Sequence, residues 1–169
     1  MIYTTAVLNV AQLKAIFGEK HKEMYYLPTY DKEVGNLYRG SQAYMAVAFT
    51  DERTAVGYGV IQLMPVTHIG GIVEASVPYD KDFAKGLVST TGVNAYVRYI
   101  PIIDVYEEYQ GEGIGTGLYN TLMGIGVRDV HPLSNTTIVE VTEESMAFWE
   151  KLGFKEIDYN WMVLRHRAY

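Results

Sequence analysis

The chain has no cysteine among its 169 residues. That excludes disulfides, thiolate metal sites and a cysteine nucleophile, and it leaves the compartment open. Basic residues are few, 14 Lys and Arg against 20 Asp and Glu, a net charge of −6. A nucleic-acid grip needs a basic surface, so this balance argues against one and suits a cationic or neutral amine better. No lysine falls between Lys85 and Lys151, so no Walker loop ending in Gly-Lys-Ser or Gly-Lys-Thr lies there. His21, His68, His131 and His166 are scattered, with no His-Glu-x-x-His and no Gly-x-Ser-x-Gly elbow, so neither a metal site nor that hydrolase chemistry has support. The N-terminus lacks a basic region followed by a long apolar run, and no signal peptide is expected. Residues 54–73 are uncharged and about as long as a membrane span. They hold Gln62, Pro65, His68 and four glycines, however, and read as strand and turn. The expectation is a soluble, cytoplasmic protein with no membrane partner.

At 49% hydrophobic and 20% charged, the composition is that of a globular chain. Its length suits one domain over residues 1–169. Fifteen tyrosines read mainly as packing on strands and half-buried faces.

Residues 99–118 organise the rest. Ile100 to Val105 is an apolar run that reads as a buried strand, and a polar link follows. Glycines stand at 111, 113, 115 and 117, and then Leu118, Leu122 and Ile125 recur at the spacing of one helical face. The glycines therefore sit where a strand becomes a helix. Unpaired main-chain N–H groups and the helix dipole favour an anion there, and the lack of Cβ atoms permits close approach. The run is not Gly-x-Gly-x-x-Gly, so it is not the dinucleotide fingerprint.

The segment Gln110-Gly111-Glu112-Gly113-Ile114-Gly115 resembles the cofactor loop of the GNAT superfamily of N-acetyltransferases, Gln/Arg-x-x-Gly-x-Gly/Ala. Val105 to Gln110 is similar to that family's strand end and bulged link. Ala147 to Phe154 is similar to a second family segment, roughly thirty residues on. The resemblance covers about residues 96–157.

The resemblance implies an α/β (mixed α+β) fold: a mostly antiparallel, twisted mixed sheet, splayed at its central strand and flanked by helices. It implies acetyl-CoA as acetyl donor. Ile103, Asp104 and Val105 would then offer main-chain groups to the pantetheine arm. Gln110, Gly111, Glu112, Gly113, Ile114 and Gly115 would cradle the pyrophosphate, with Thr116 on the first helical turn. Relatives often carry a tyrosine as the acid for the leaving thiolate where this chain has Trp149. An indole N–H donates a hydrogen bond but is no practical proton donor. The asparagine that often precedes this helix aligns with Thr142. Both belong to the expected cofactor site. Some relatives place a Glu or His base where this chain has Tyr99, and Asp104 is the nearest carboxylate on the strand. Tyr99 and Asp104 are the candidate catalytic residues. Alternation sets them on opposite faces.

The activity implied is acetyl transfer to a primary amine, of a small molecule or of a protein, by direct attack. The rival reading is a non-catalytic acyl-CoA-binding sensor or structural module. A transferase acting on charged transfer RNA is a third, disfavoured by the charge.

Along the chain, residues 2–8 read as a strand. Asn9 with Gln12 forms a capping box for a helix carrying Val10, Leu13, Phe17, Met24 and Leu27 and ended by Pro28. A second helix is expected over 31–38, closed by Gly40. Residues 42–50 and 54–64 form a hairpin around Asp51-Glu52-Arg53. Residues 66–95 are long for a link between sheet strands, with a strand near 72–77 and a helix over 80–88. Substrate lid, dimer contact and plain elaboration are the three readings of that segment. A strand over 136–141, a helix over 143–152 stopped by Gly153, and closing strands at 154–157 and 161–164 complete the order. Gly124 and Gly126 read as sites of close helix packing. A homodimer is allowed, dimers being the commonest closed assembly.

Overall fold

The computed structural model describes residues 1–24, 30–31, 36–37, 42–65, 96–128, 133–158 and 161–165. The described elements, in chain order, are β1 (Ile2–Val7), α1 (Val10–Phe17), a 3-10 turn (Gly18–Glu23), β2 (Tyr30–Asp31), β3 (Asn36–Leu37), β4 (Gln42–Phe49), β5 (Ala55–Pro65), β6 (Tyr96–Val105), a 3-10 turn (Glu107–Tyr109), α2 (Ile114–Arg128), β7 (Leu133–Glu140), α3 (Met146–Lys151), β8 (Lys155–Asp158) and β9 (Trp161–Arg165). A seven-stranded sheet has the order β1-β4-β5-β6-β7-β9-β8, with β6 and β7 parallel and the pairs β1/β4, β7/β9 and β8/β9 antiparallel. This is the expected mixed, mostly antiparallel α/β fold. The expected strand, helix and lid of residues 66–95 lie outside the described residues.

The chain forms two compact units. The first comprises Met1–Gln62 and Pro101–Val130, the second Leu63–Ile100 and His131–Tyr169. In the first, Asn9 caps α1 as expected, its Oδ1 accepting from the Gln12 N–H at 2.9 Å. The helix ends at Phe17, not at Pro28. Gly18 takes a φ of 58° and the backbone tightens into the 3-10 turn, whose His21 Nδ1 lies 2.7 Å from the Gly18 carbonyl. Glycine in the left-handed region is the ordinary helix stop, and it acts here ten residues before the proline. Leu27 and Pro28 are outside the described residues.

The helix expected over 31–38 is not formed at its ends. Tyr30 pairs with Leu37 and Asp31 with Asn36 in a two-stranded antiparallel ribbon. A glycine such as Gly35 costs a helix about 1 kcal/mol, which weakens the helical alternative. The 42–64 hairpin is as expected: the Thr50 N–H donates to the Thr54 carbonyl at 2.9 Å, and Arg53 takes the left-handed φ of 62°.

The core of this unit joins Leu8, Leu13, Met24, Met45, Val47, Tyr58 and Val60, with Ile102 packed beside them. On the sheet's other side, Leu118 and Leu122 of α2 are fully buried. They reach β5 through two glycines. A Cβ on Gly59 would stand 2.9 Å from Leu122 Cδ1, and one on Gly57 would stand 2.9 Å from the Asp104 carbonyl and 3.4 Å from Leu118 Cδ1. Gly117 is covered by the Tyr3 ring. The close packing expected of Gly124 is not seen among the described residues, where a Cβ there would meet nothing within 4 Å.

In the second unit, Tyr99 of β6 pairs with Ile138 of β7, and β7 pairs with β9 from Thr136/Arg165 to Glu140/Trp161. Helix α3 begins at Met146 rather than Glu143. Thr142 and Ser145 bond each other first, Ser145 Oγ accepting from the Thr142 N–H at 3.0 Å and donating to the Thr142 carbonyl at 3.2 Å. That local turn competes with the first helical turn. Gly153, at a φ of 95°, ends the helix as expected.

Gly57→Ala is the sharpest test of the β5–β6 approach, since the obstacle is backbone rather than a side-chain tip. The variant should lose about 1–3 kcal/mol of stability by urea unfolding, the usual cost of overpacking. A midpoint unchanged from wild type would refute the close approach.

Candidate functional site

The site residues of the first unit follow one another along the end of β6 and the start of α2. The Tyr106 N–H donates to the Val56 carbonyl at 2.9 Å, which ties the chain to β5 just beyond Val105. Gln110 reaches back, its Nε2 donating to the Val105 carbonyl at 2.9 Å. Between these ties the chain makes the 3-10 turn, with the Tyr109 and Gln110 N–H groups bonded to the Tyr106 and Glu107 carbonyls. Gln110 thus holds the link closed from inside the chain.

Gly111 and Gly113 both take a φ of 81°, and a Cβ at either would meet nothing within 4 Å. Glycine is required here by backbone conformation, and the space beside it is open. The Gly113 carbonyl accepts from the Gly117 N–H at 3.0 Å, the first bond of α2. Helix geometry then leaves the N–H groups of Ile114, Gly115 and Thr116 without an intrahelical partner. Ile114 anchors this end by burying its side chain, while Thr116 is exposed. Exposed Gly111, Glu112 and Gly113 leave the approach clear. These residues fit an anionic pyrophosphate: backbone donors, a positive helix end and no side chain in the way.

The surroundings are acidic. Asp104, Glu107, Glu108 and Glu112 are exposed. The Tyr106 hydroxyl is pushed above its ordinary pKa by partial burial first, then by the negative charges of Asp104 and Glu108, so it stays protonated at neutral pH. Lys20 lies over the Tyr106 ring, its Nζ 5.2 Å from the centroid.

Ile103 and Val105 are half-buried and Asp104 exposed. Tyr99 lies in the second unit and is fully buried, its ring tilted against Trp161 at 6.0 Å. Thr142 is exposed at the Ser145 turn. Trp149 is buried and stands edge-on to Phe148 at 5.0 Å and to Phe154 at 5.1 Å. Residues 103–105 and 110–116 thus belong to one unit, where Gln110 bonds back to Val105, while Tyr99, Thr142 and Trp149 belong to the other, each with its own partners. The motifs do not single out Gly57 and Gly59, which let α2 and the end of β6 both come close to β5. The signal was present: two glycines inside a strand pattern mark a close approach of another backbone.

Glu140, at the end of β7 opposite Trp161, has its carboxyl pKa raised by partial burial. Among the described residues, no group of three or more His, Asp or Glu is placed to hold a metal ion. No helix of the described residues is long and apolar enough to cross a membrane.

The acetyltransferase (GNAT) family model matches residues 8–154, and the chain belongs to that family. It is an acetyl-CoA-dependent N-acetyltransferase. Among curated proteins, none matches the chain by sequence. Solved structures share its fold at low identity. NAA60 of Arabidopsis thaliana in complex with acetyl-CoA aligns over 97% of this chain and 98% of its own, with a TM-score of 0.59 and 14% identity. A KacTA–DNA complex aligns over 97% and 93%, at 0.57 and 17%. AtaT complexed with acetyl-methionyl-tRNAfMet aligns over 97% and 95%, at 0.50 and 14%.

Two outcomes test this geometry. Gly113→Glu should abolish acetyl-CoA binding in calorimetry while the circular dichroism of the fold is kept, because the side chain brings bulk and negative charge to the helix end. Retained affinity would misplace the site. For Glu140, a raised native pKa means the folded state holds a proton that the unfolded state releases above 4.5. The cost is absent below that value and develops as pH rises through the raised one. Glu140→Gln should therefore raise the urea midpoint at neutral pH and leave it unchanged near about pH 4, where the unfolded carboxyl is largely protonated.

Proposed function

We propose that the chain transfers the acetyl group of acetyl-CoA to a primary amine by direct attack, with residues 103–105 and 110–116 holding the cofactor. The observation that carries this reading is the pair of left-handed glycines, Gly111 and Gly113, opening the N-terminus of α2 at the end of β6. Acetyl-CoA supplies an activated acyl thioester. The backbone N–H groups of 114–116 hold its pyrophosphate, and the end of β6 offers main-chain groups to its arm. Gln110 keeps the link between those two segments closed.

The acceptor is a cationic amine that must lose a proton to react. Exposed Asp104, Glu107 and Glu108, with the net charge of −6, favour its approach. Asp104 is the candidate base for this step, with ordered water as carrier. Tyr99 is the second candidate. Its full burial suits a role in shaping the strand, and any proton it relays must travel through the interior. Trp149 gives hydrogen-bond help at most to the departing thiolate. The family match runs through both compact units, which supports one domain over residues 1–169.

A charged transfer RNA as acceptor is the second reading, prompted by the fold shared with AtaT in its acetyl-methionyl-tRNAfMet complex. The acidic balance of this chain weighs against it.

Thermal unfolding with and without acetyl-CoA, followed by an amine panel, tests the proposal. Ligand at about a hundred times its dissociation constant should stabilise the native state by ~2.7 kcal/mol. A shift together with acetylation of an amine is the expected result. Binding without transfer to any amine would leave only the sensor reading, and no shift would remove the cofactor site.

A further inference from the structure

Strand β1 closes one end of the sheet, and its outer edge has no partner among the described residues. Its sequence, Ile-Tyr-Thr-Thr-Ala-Val, carries none of the devices that protect an edge: no lysine, no proline, no charge of either sign. The exposed large hydrophobic residues among those described are Met1, Ile2 and Val7, at 47%, 49% and 56% exposure. All three lie on this strand or one residue before it.

The outward hydrogen-bonding groups can be assigned. The Leu8 N–H donates to Ala43 of β4 at 3.1 Å, one step beyond the Val7/Tyr44 pair. Antiparallel ladders alternate, so Ile2, Thr4, Ala6 and Leu8 turn their amides toward β4, and Tyr3, Thr5 and Val7 turn theirs outward. The Val7 carbonyl takes one long contact, 3.4 Å from Asn9 Nδ2. Beside this edge runs a groove of about 760 Å³, lined by Thr5, Val7 and Tyr44 on the sheet and by Asn120, Thr121 and Gly124 on α2. Gly124 faces open space there.

The geometry points to a second copy of this chain as the occupant, paired antiparallel along β1 about a two-fold axis through Thr5. The argument is self-complementarity. A two-fold axis normal to the sheet keeps each face continuous, so residues of like parity must oppose one another: Thr5 meets the partner's Thr5, and Tyr3 meets the partner's Val7. These are the residues with outward amides, and the register satisfies them with about six main-chain hydrogen bonds. Exposed Val7 then stands opposite the partner's Tyr3, whose ring lies over Gly117 of its own chain, and gains a cross-strand neighbour of the aromatic and β-branched kind. Helix α2 lies across β1 and β4. With strands about 4.8 Å apart, the axis sets it roughly 10 Å from its mate, the ordinary distance of packed helices. The small residues Asn120, Thr121 and Gly124 then face across the axis, and the close packing that Gly124 permits is made between copies.

Sedimentation equilibrium of the whole chain tests this. The expected mass at micromolar concentration is twice the 19.1 kDa of one chain. Val7→Lys should raise the dimer dissociation constant at least ~tenfold, since an edge lysine opposes strand pairing. The chain is free of cysteine, so single substitutions report the register independently of that variant's folding. Thr5→Cys should form an intermolecular disulfide on mild oxidation, its Cα atoms lying about 5.5 Å apart across the axis, and Thr4→Cys should not. A monomer at all concentrations, a dimer indifferent to Val7→Lys, or cross-linking through Thr4 in place of Thr5 would each overturn the assignment.

Discussion

The first unit depends on how closely α2 approaches the strands beneath it. Leu118 and Leu122 are fully buried, and burial of such side chains stabilises by about 1.5–3 kcal/mol each. They gain that depth because β5 offers Gly57 and Gly59 where other residues would carry a Cβ. The same glycines let β5 lie close to the Asp104 carbonyl. One steric allowance therefore positions both the helix and the strand end, and the loop between them inherits its shape.

From that placement the chemistry follows in steps. Tyr106 tied to Val56 and Gln110 tied to Val105 leave little freedom for the link. Gly111 and Gly113 complete the turn in a conformation that only glycine adopts cheaply. What results is a helix end with N–H groups free of intrahelical partners, near the exposed carboxylates of Asp104, Glu107, Glu108 and Glu112, with Lys20 over the Tyr106 ring. On the proposed reading, anion binding rests on backbone donors and the helix dipole. The surrounding negative charge is left to act on the acceptor.

Much of this was legible in the sequence, for identifiable reasons. The glycine loop, the buried stripe of Leu118, Leu122 and Ile125, the capping box of Asn9 and Gln12 and the stop at Gly153 are local patterns, decided within a turn or two. The misreadings arose where two local signals competed. Gly18 ended α1 before Pro28 had a chance to act, and the Thr142–Ser145 turn displaced the start of α3. At Tyr30–Asp31 and Asn36–Leu37 a two-stranded ribbon stands where the Val34, Leu37 and Tyr38 spacing suggests a helix, because the spacing alone does not weigh the glycine within it. Gly57 and Gly59 were unread because their purpose lies some sixty residues away, on α2. Gly124 has the position of a packing glycine, but no described residue comes within 4 Å of where its Cβ would stand. The roles of the candidate catalytic residues Tyr99 and Asp104, and of Thr142 and Trp149 at the expected cofactor site, are the least legible, since they depend on what surrounds each side chain rather than on spacing.

The central claim is that the N–H groups at the start of α2 receive the cofactor's pyrophosphate. Amide hydrogen exchange with and without acetyl-CoA reads those groups directly. The account predicts slowed exchange at residues 111–116 and along 103–105, with the hairpin around Asp51 to Arg53 unchanged. Protection that spares the glycine loop while appearing elsewhere would contradict it.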